Sequence, residues 1–296
     1  MYNFNNKVVV ITGAASGMGR GYALAFAKLG SRLALCDFDS AGLAETESLV
    51  AKMSTPETLS MVFDISEQAA CLEFADLVKS ELGGVDILIN NAGIEGSAKP
   101  VWATSEQSFR RVMDVNYYGV VNGTRAFLPQ MLAANQGVIV NVSSIFGLAG
   151  TPNHADYCAS KFAVRGFTEA LMVELIDSPI QVHSMHPGGI ATNIARQSRS
   201  KDFASHFLKT TPDDIAQHLI HCIKCNRPRI VFGHGARKTW LGVRLLPLTL
   251  LCRLIWTELK GVIDQDDYSV GQNLLAPDLL DGNEKSELDA NKKAGA

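Results

Sequence analysis

Lys7–Ile11 (KVVVI) runs without interruption into Thr12-Gly13-Ala14-Ala15-Ser16-Gly17-Met18-Gly19. A short, unbroken, β-branched run is what a strand buried on both faces looks like, and parallel sheets supply that environment. Glycines placed straight after it allow a tight turn and a close backbone approach. The apolar-periodic stretch Gly17–Leu29 then reads as a helix, stopped by Gly30. Strand, glycine turn and helix in that order form the opening of a β-α-β unit. The helix start also offers N–H groups to an anion such as a pyrophosphate.

The alternation continues along the chain. Further strands are predicted at Arg32–Cys36, Leu59–Phe63, Asp86–Ile89, Gly137–Val142, Ile180–Met185 and Arg229–Phe232. Helices are predicted at Ser40–Met53, Glu67–Leu82, His154–Asp177 and Pro212–Cys225. The pattern predicts an α/β fold: a doubly wound Rossmann-type parallel sheet of about seven strands, helices on both faces, and a C-terminal helical extension. Residues 1–236 are expected to form the catalytic domain, 237–262 an apolar and basic helical extension, and 263–296 an acidic flexible tail. Ligands of such sheets bind beyond the carboxyl ends of the strands, so the residues that follow each strand are the ones to weigh.

Composition narrows the class. The chain has 296 residues, 47% hydrophobic and 19% charged, with net charge −3, which excludes collagen-like, disordered and disulfide-scaffold classes. Its six cysteines are scattered, the usage of a reducing compartment, and no basic leader precedes the first apolar run; a cytoplasmic protein is expected. Charge is uneven: residues 1–195 carry −6, residues 196–260 carry +8 and residues 261–296 carry −5. No nucleic-acid partner is expected.

Asp37 follows the second strand. A carboxylate there accepts hydrogen bonds from a ribose 2′-hydroxyl and repels a 2′-phosphate. No Arg or Lys occupies positions 38–44 and Ser16 is uncharged, so NAD is preferred over NADP. Asp64 ends the third strand, where it either meets an adenine or caps the next helix. Asn90-Asn91-Ala92-Gly93 after the fourth strand reads either as a cofactor-facing segment or as an ordinary turn. Tyr157 and Lys161 stand four residues apart on one helix face. A free tyrosine titrates near pH 10, and a fixed cation nearby favours its phenolate. Ser144 ends the fifth strand at the same sheet edge, where its hydroxyl can bond a carbonyl oxygen.

Taken in order, TGxxxGxG, the acid after the second strand, NNAG, Asn116, Ser144 and YxxxK resemble the short-chain dehydrogenase/reductase superfamily, in its compact single-domain branch, over about residues 5–235. The resemblance implies that Tyr157 is the general acid/base, that Lys161 lowers its pKa and holds the nicotinamide ribose, and that Ser144 orients the substrate oxygen. It implies that Asn116 holds a water linking Lys161 to solvent. Gly13, Ser16, Gly17, Met18, Gly19, Asp37, Asp64, Ile65, Asn91, Ala92 and Gly93 would hold the dinucleotide. Pro187, Gly188, Ile190 and Thr192 would flank its nicotinamide. The implied reaction is hydride transfer between NAD and an alcohol or ketone carbon. A homodimer or homotetramer built on the helices around Asn116–Leu132 and His154–Asp177 is implied as well.

The loops Ile94–Val101, Ile145–Asn153 and Ile190–Phe207 are expected to wall the substrate site. They supply Ile145, Phe146, Leu148, Ile190, Ile194, Phe203 and Phe207, a lining suited to a mostly apolar alcohol or ketone, and His154, three residues before Tyr157, either touches substrate or packs at the helix cap. Ile194–Lys209 is expected to be a lid. Cys222 and Cys225, near His218 and His221, invite a metal reading, but no second CxxC pair accompanies them and no metal is expected. His183 and His186 read as structural residues. Thr239–Trp256 contains Arg244, Pro247 and Arg253, which argues against a membrane span. The favoured reading is a helical extension packed on the domain or on a partner subunit. Contact with a membrane surface, or admission of a long acyl chain, is the alternative. Two other functions stay open: an acyl-chain or acyl-thioester reductase, and a non-catalytic dinucleotide sensor of the same fold.

Overall fold

The computed structural model describes residues 2–53, 57–192, 205, 207–263 and 268. Ile194, Phe203, most of the expected lid and nearly all of the expected tail lie outside the described residues.

Seven strands form one parallel sheet: β1 (Val8–Thr12), β2 (Arg32–Asp37), β3 (Thr58–Val62), β4 (Ile87–Asn90), β5 (Val138–Val142), β6 (Gln181–Pro187) and β7 (Arg229–Phe232). Their order across the sheet is β3-β2-β1-β4-β5-β6-β7, with every pairing parallel. All five residues of β1 are buried, as the unbroken β-branched run requires. Val9 and Ile11 enter one core and Val8 and Val10 the other, so successive side chains feed opposite layers.

The first layer is α1 (Gly17–Lys28), α2 (Ser40–Ala51) and, later in the chain, α7 (Pro212–Lys224). They pack Tyr22, Phe26, Leu43, Val50, Ile215, Leu219 and Ile223 onto the sheet. The second layer is α3 (Gln68–Leu82), α5 (Gly119–Ala134) and α6 (Ala155–Glu174), contributing Phe74, Val78, Leu82, Phe127, Met131 and Leu171. Short α4 (Glu106–Met113) precedes α5. Local chemistry sets the ends: Thr211 and Asp214 form a capping box with Pro212 in the first turn of α7, and α3 stops at Gly83 with φ +76°.

The chain order reverses between β1 and β4, opening a crevice at the carboxyl ends of those strands. Thr12 sews the two ends together. Its Oγ1 accepts from the Asn91 and Ala92 N–H groups at 3.0 Å each, while Asn91 Nδ2 donates back to the Thr12 carbonyl at 2.9 Å.

Beyond β7 the expected single extension is two helices, α8 (Ala236–Leu245) and α9 (Leu248–Leu259). Pro247 explains the break: it forces Leu246 out of the helical region, to φ −100°, ψ 141°. Among the described residues, no helix is long and apolar enough to cross a membrane.

Candidate active site

Two cavities open at the carboxyl edge of the sheet, and they share Met18, Glu95 and Thr192 as walls. The larger, of about 420 Å³, lies over the β1–β4 crevice. Gly13, Ser16, Gly17, Met18, Asp37, Asp64, Ile65, Asn91, Ala92, Gly93 and Thr192 all line it. Gly13 has φ +69°, and a Cβ there would stand 2.7 Å from Ala92 Cα, so the turn accepts only glycine. Gly19 does not line the cavity; a side chain there would overlap the Gly13 carbonyl, and its role is to let α1 sit against the turn. Ser16 precedes α1 without a side-chain cap bond, so the first-turn N–H groups have no intrahelical acceptor. Asn91 Oδ1 is buried beside them with no protein partner. A glycine cradle, helix N–H groups and an unsatisfied amide oxygen suit a dinucleotide.

The acids of this cleft are held by the fold. Asp37 accepts from Ala15 N at 2.9 Å and from Asp39 N at 3.0 Å, which fixes its carboxylate at the cleft wall. Arg20, which lies on α1 but folds back toward this region, is engaged by the Ala15 and Gly42 carbonyls, Thr46 and Glu45. Asp64 does not cap α3, whose N-cap is Glu67. Its oxygens take the Ser66 N–H and hydroxyl (2.9 and 2.7 Å) and Arg111 (2.5 Å). Burial pushes the Asp64 carboxyl up, but the Ser66 and Arg111 hydrogen bonds outweigh it and leave it below its ordinary value.

The second cavity, of about 270 Å³, holds the reactive groups. Ser144, Ile145, Phe146, His154, Tyr157, Pro187, Gly188, Ile190 and Phe207 line it. Leu148 is buried behind this wall. Ser144 leaves β5 and caps the short turn Ile145–Gly147, its Oγ accepting from Phe146 N at 3.1 Å. The Tyr157 phenol lines the same cavity and feels the Ser144 hydroxyl, which acts to lower its pKa. The Phe146 ring stands edge-on to both His154 and Tyr157, with centroids 5.3 and 5.8 Å away. His154 donates from Nδ1 to the Pro152 carbonyl at 2.9 Å.

Two histidines behave as structural residues. His186 donates from Nδ1 to the Ser144 carbonyl (3.1 Å), so its Nε2 accepts from Ser184 Oγ (3.0 Å). Burial lowers His186 to about 4, keeping the imidazole neutral and able to brace Ser144 from behind. His183 is tied to the Arg227 carbonyl at 2.7 Å. Along α7, Cys222 pairs with His218 and Cys225 with His221 as two separate contacts. Among the described residues, no three His, Cys, Asp or Glu side chains gather to hold a metal ion.

One expectation needs correction. Lys161 Nζ lies 5.5 Å from the Tyr157 ring centroid, but it donates to the Val142 carbonyl at 3.1 Å. Burial acts most strongly on Tyr157 and raises its phenol above the ordinary range; the Ser144 hydroxyl lowers it only in part, and Cys158 and Glu95 raise it further. Lys161 itself is pushed down to about 8 by burial. The lysine alone does not acidify the tyrosine.

Asn116 sits in a π-helical turn, Asp114–Tyr118, wedged between α4 and α5. Such turns are uncommon and cluster at functional sites. Its side chain accepts from Ile94 N (2.8 Å) and donates to the Ile94 carbonyl (3.0 Å) and to Ser160 Oγ (3.1 Å). This clamps the segment after β4 to α6. A Cβ at Gly93 would touch both Asn116 Oδ1 (3.1 Å) and Lys161 Nζ (3.3 Å), so these three residues meet behind the cleft.

Two contributors lay outside the favoured sequence reading. Asp156, 1% exposed, accepts from Ser97 N (2.9 Å), Ser108 Oγ (2.9 Å) and Tyr157 N (2.8 Å), joining α6 to α4 and to the loop after β4. The other is the extension. Lys238, Thr239, Gly242, Leu246, Leu251, Leu254, Ile255, Glu258 and Leu259 line the same cavity as Tyr157. The hairpin α8–α9 is thus a wall of the reactive site.

Comparison with known proteins agrees with this geometry. A family model described as short chain dehydrogenase matches residues 7–225. SadH of Mycobacterium tuberculosis is 39% identical over 258 residues, 83% of this chain and 93% of its own length. A cyclopentanol dehydrogenase of Comamonas is 38% identical over 197 residues, 67% of this chain and 78% of its own. The crystal structure of a short chain dehydrogenase/reductase from Burkholderia phymatum in complex with NAD superposes with a TM-score of 0.77 at 30% identity, covering 88% of this chain and 97% of that one. The fold is therefore one that binds a nicotinamide dinucleotide, and the chain belongs to the short-chain dehydrogenase family of oxidoreductases.

Proposed function

We propose that the protein transfers a hydride between NAD and the alcohol or ketone carbon of a mostly apolar substrate. The observation that carries this reading is that Ser144 and Tyr157 line one wall of an apolar cavity that adjoins the dinucleotide cleft. The glycine turn, Asn91 and Thr192 would hold the dinucleotide, and Lys161 its nicotinamide ribose. Bound there, the nicotinamide supplies the hydride acceptor for oxidation and, in its oxidised form, a positive charge near the phenol. Ser144 holds the substrate oxygen. Tyr157 takes the hydroxyl proton as the carbon loses hydride, and returns a proton in the reverse direction. Because burial raises Tyr157, the protonated phenol is its resting form and the pair is poised to donate to a carbonyl.

Asp37 supports NAD over NADP: its carboxylate, held at the cleft wall by Ala15 N, would accept from a 2′-hydroxyl and repel a phosphate. Asn116 stabilises the loop behind Lys161, and a water beside it would complete a proton path to solvent. Exposed Tyr118, Leu132, Phe162 and Val173, near or on α5 and α6, support assembly through those helices as a dimer or tetramer. The test is turnover with NAD and NADP against secondary alcohols of graded polarity. NAD should be favoured by at least about tenfold in kcat/KM, a difference of about 1.4 kcal/mol. Preference for NADP overturns the cofactor assignment, and preference for polyols overturns the substrate class.

A further inference from the structure

The hairpin α8–α9 has two apolar sides. Leu246, Leu251 and Leu259 face inward and line the catalytic cavity. Leu245 and Leu248, on either side of the turn at Leu246-Pro247, are 74% and 75% exposed, and Leu241 and Leu250 are exposed with them. The hairpin lies beyond residue 225, where the family match ends.

The turn is also bracketed by cations. Leu245–Cys252 (LLPLTLLC) contains no charged residue and lies between Arg244 and Arg253. From Ala236 to Lys260 the chain carries Arg237, Lys238, Arg244, Arg253 and Lys260 against one carboxylate, Glu258. Glu258 is taken by Lys238 at 2.7 Å, and the Arg244 guanidinium lies over the Trp240 ring at 4.1 Å. The excess of positive charge is local, since residues 1–195 are net −6. Isolated exposed leucines are ordinary on protein surfaces. An uncharged leucine turn flanked by arginines is the composition of an element that lies in a membrane interface, apolar side down and cations at the headgroups.

We propose that the 241–253 turn docks the protein on an anionic lipid bilayer, with Leu245 and Leu248 entering the acyl boundary and Arg244 and Arg253 meeting the phosphates. Self-association through the same turn is disfavoured, because it would bring together two turns of the same positive sign. No described helix is long and apolar enough to span, and the proposed attachment is peripheral. Because the inner leucines of the hairpin wall the reactive cavity, docking brings that cavity to the lipid from which an apolar alcohol or ketone would come.

Co-sedimentation of the full chain with phosphatidylcholine vesicles, with and without phosphatidylglycerol, tests this directly and independently of activity. The full chain should pellet with the phosphatidylglycerol vesicles and be released by high salt. The pairs Leu245→Ser/Leu248→Ser and Arg244→Gln/Arg253→Gln should each weaken binding by at least about tenfold. Neither pair should move the thermal unfolding midpoint or turnover of a small water-soluble alcohol. A full chain that stays in the supernatant overturns the proposal; light scattering then shows whether a second copy occupies the turn. Binding by both pairs at wild-type strength overturns it equally.

Discussion

Lys161 gives the most quantitative test of how the site is built. The side chain is 3% exposed, and burial lowers its ammonium from 10.5 to about 8. At about 1.4 kcal/mol per tenfold in proton affinity, that gap is roughly 3 kcal/mol by which the folded state disfavours the cation. The sign follows from proton binding. Below pH 8 both states are charged and the folded protein carries the whole penalty. Between about 8 and 10.5 the unfolded chain keeps the proton while the folded one has lost it, so stability recovers as pH rises. Lys161→Met keeps a similar length and removes the titration. It also strips the Val142 carbonyl of its donor, a pH-independent cost of about 1–3 kcal/mol. Urea unfolding of wild type and variant across pH 7 to 10.5 measures the difference. The variant should lose about 3 kcal/mol of stability relative to wild type over that range, because wild type improves. A difference that stays flat with pH refutes the reasoning and returns Lys161 to a solvated environment.

Two other substitutions probe the surroundings. Gly242→Leu places a side chain whose Cβ stands 3.3 Å from Leu251 and 3.9 Å from Leu246, driving bulk into the cavity. Its kcat/KM should fall about tenfold or more for bulky apolar alcohols and only about threefold or less for small ones, in a graded substrate series; equal losses would remove the hairpin from the substrate wall. Asp156→Ala leaves three donors on Ser97, Ser108 and Tyr157 without their acceptor and should cost about 3 kcal/mol in chemical denaturation. A cost below about 1 kcal/mol would mean that the network is not what joins α6 to the loop after β4.

What the sequence disclosed depended on range. The strands were legible because both sheet faces are buried, so Val8–Ile11 and Val138–Val140 are unbroken apolar runs. Gly13, Asp37, Ser144, Tyr157 and Lys161 were legible because each sits at a fixed offset from a strand end or a helical neighbour. Asp156 was not, since its partners lie 59 and 48 residues away at Ser97 and Ser108, and an acid in a first helical turn has a sufficient local explanation. The wall formed by α8–α9 was not either: Leu246 and Leu251 face the cavity only because Pro247 folds the extension back, and the sequence did not fix where it returns. The i, i+4 spacing correctly placed Lys161 beside Tyr157. It carried no information on desolvation, which raises the phenol.

The account stands on the Tyr157 hydroxyl as the proton carrier of the reaction. Tyr157→Phe keeps the ring against Phe146 and removes only that oxygen. NADH binding by fluorescence titration, measured beside single-turnover oxidation of an apolar secondary alcohol, separates cofactor binding from chemistry. The prediction is cofactor affinity within about threefold of wild type and a rate lowered by at least about a thousandfold, or roughly 4 kcal/mol on the barrier. A rate within about tenfold of wild type, with the cofactor bound, would contradict it.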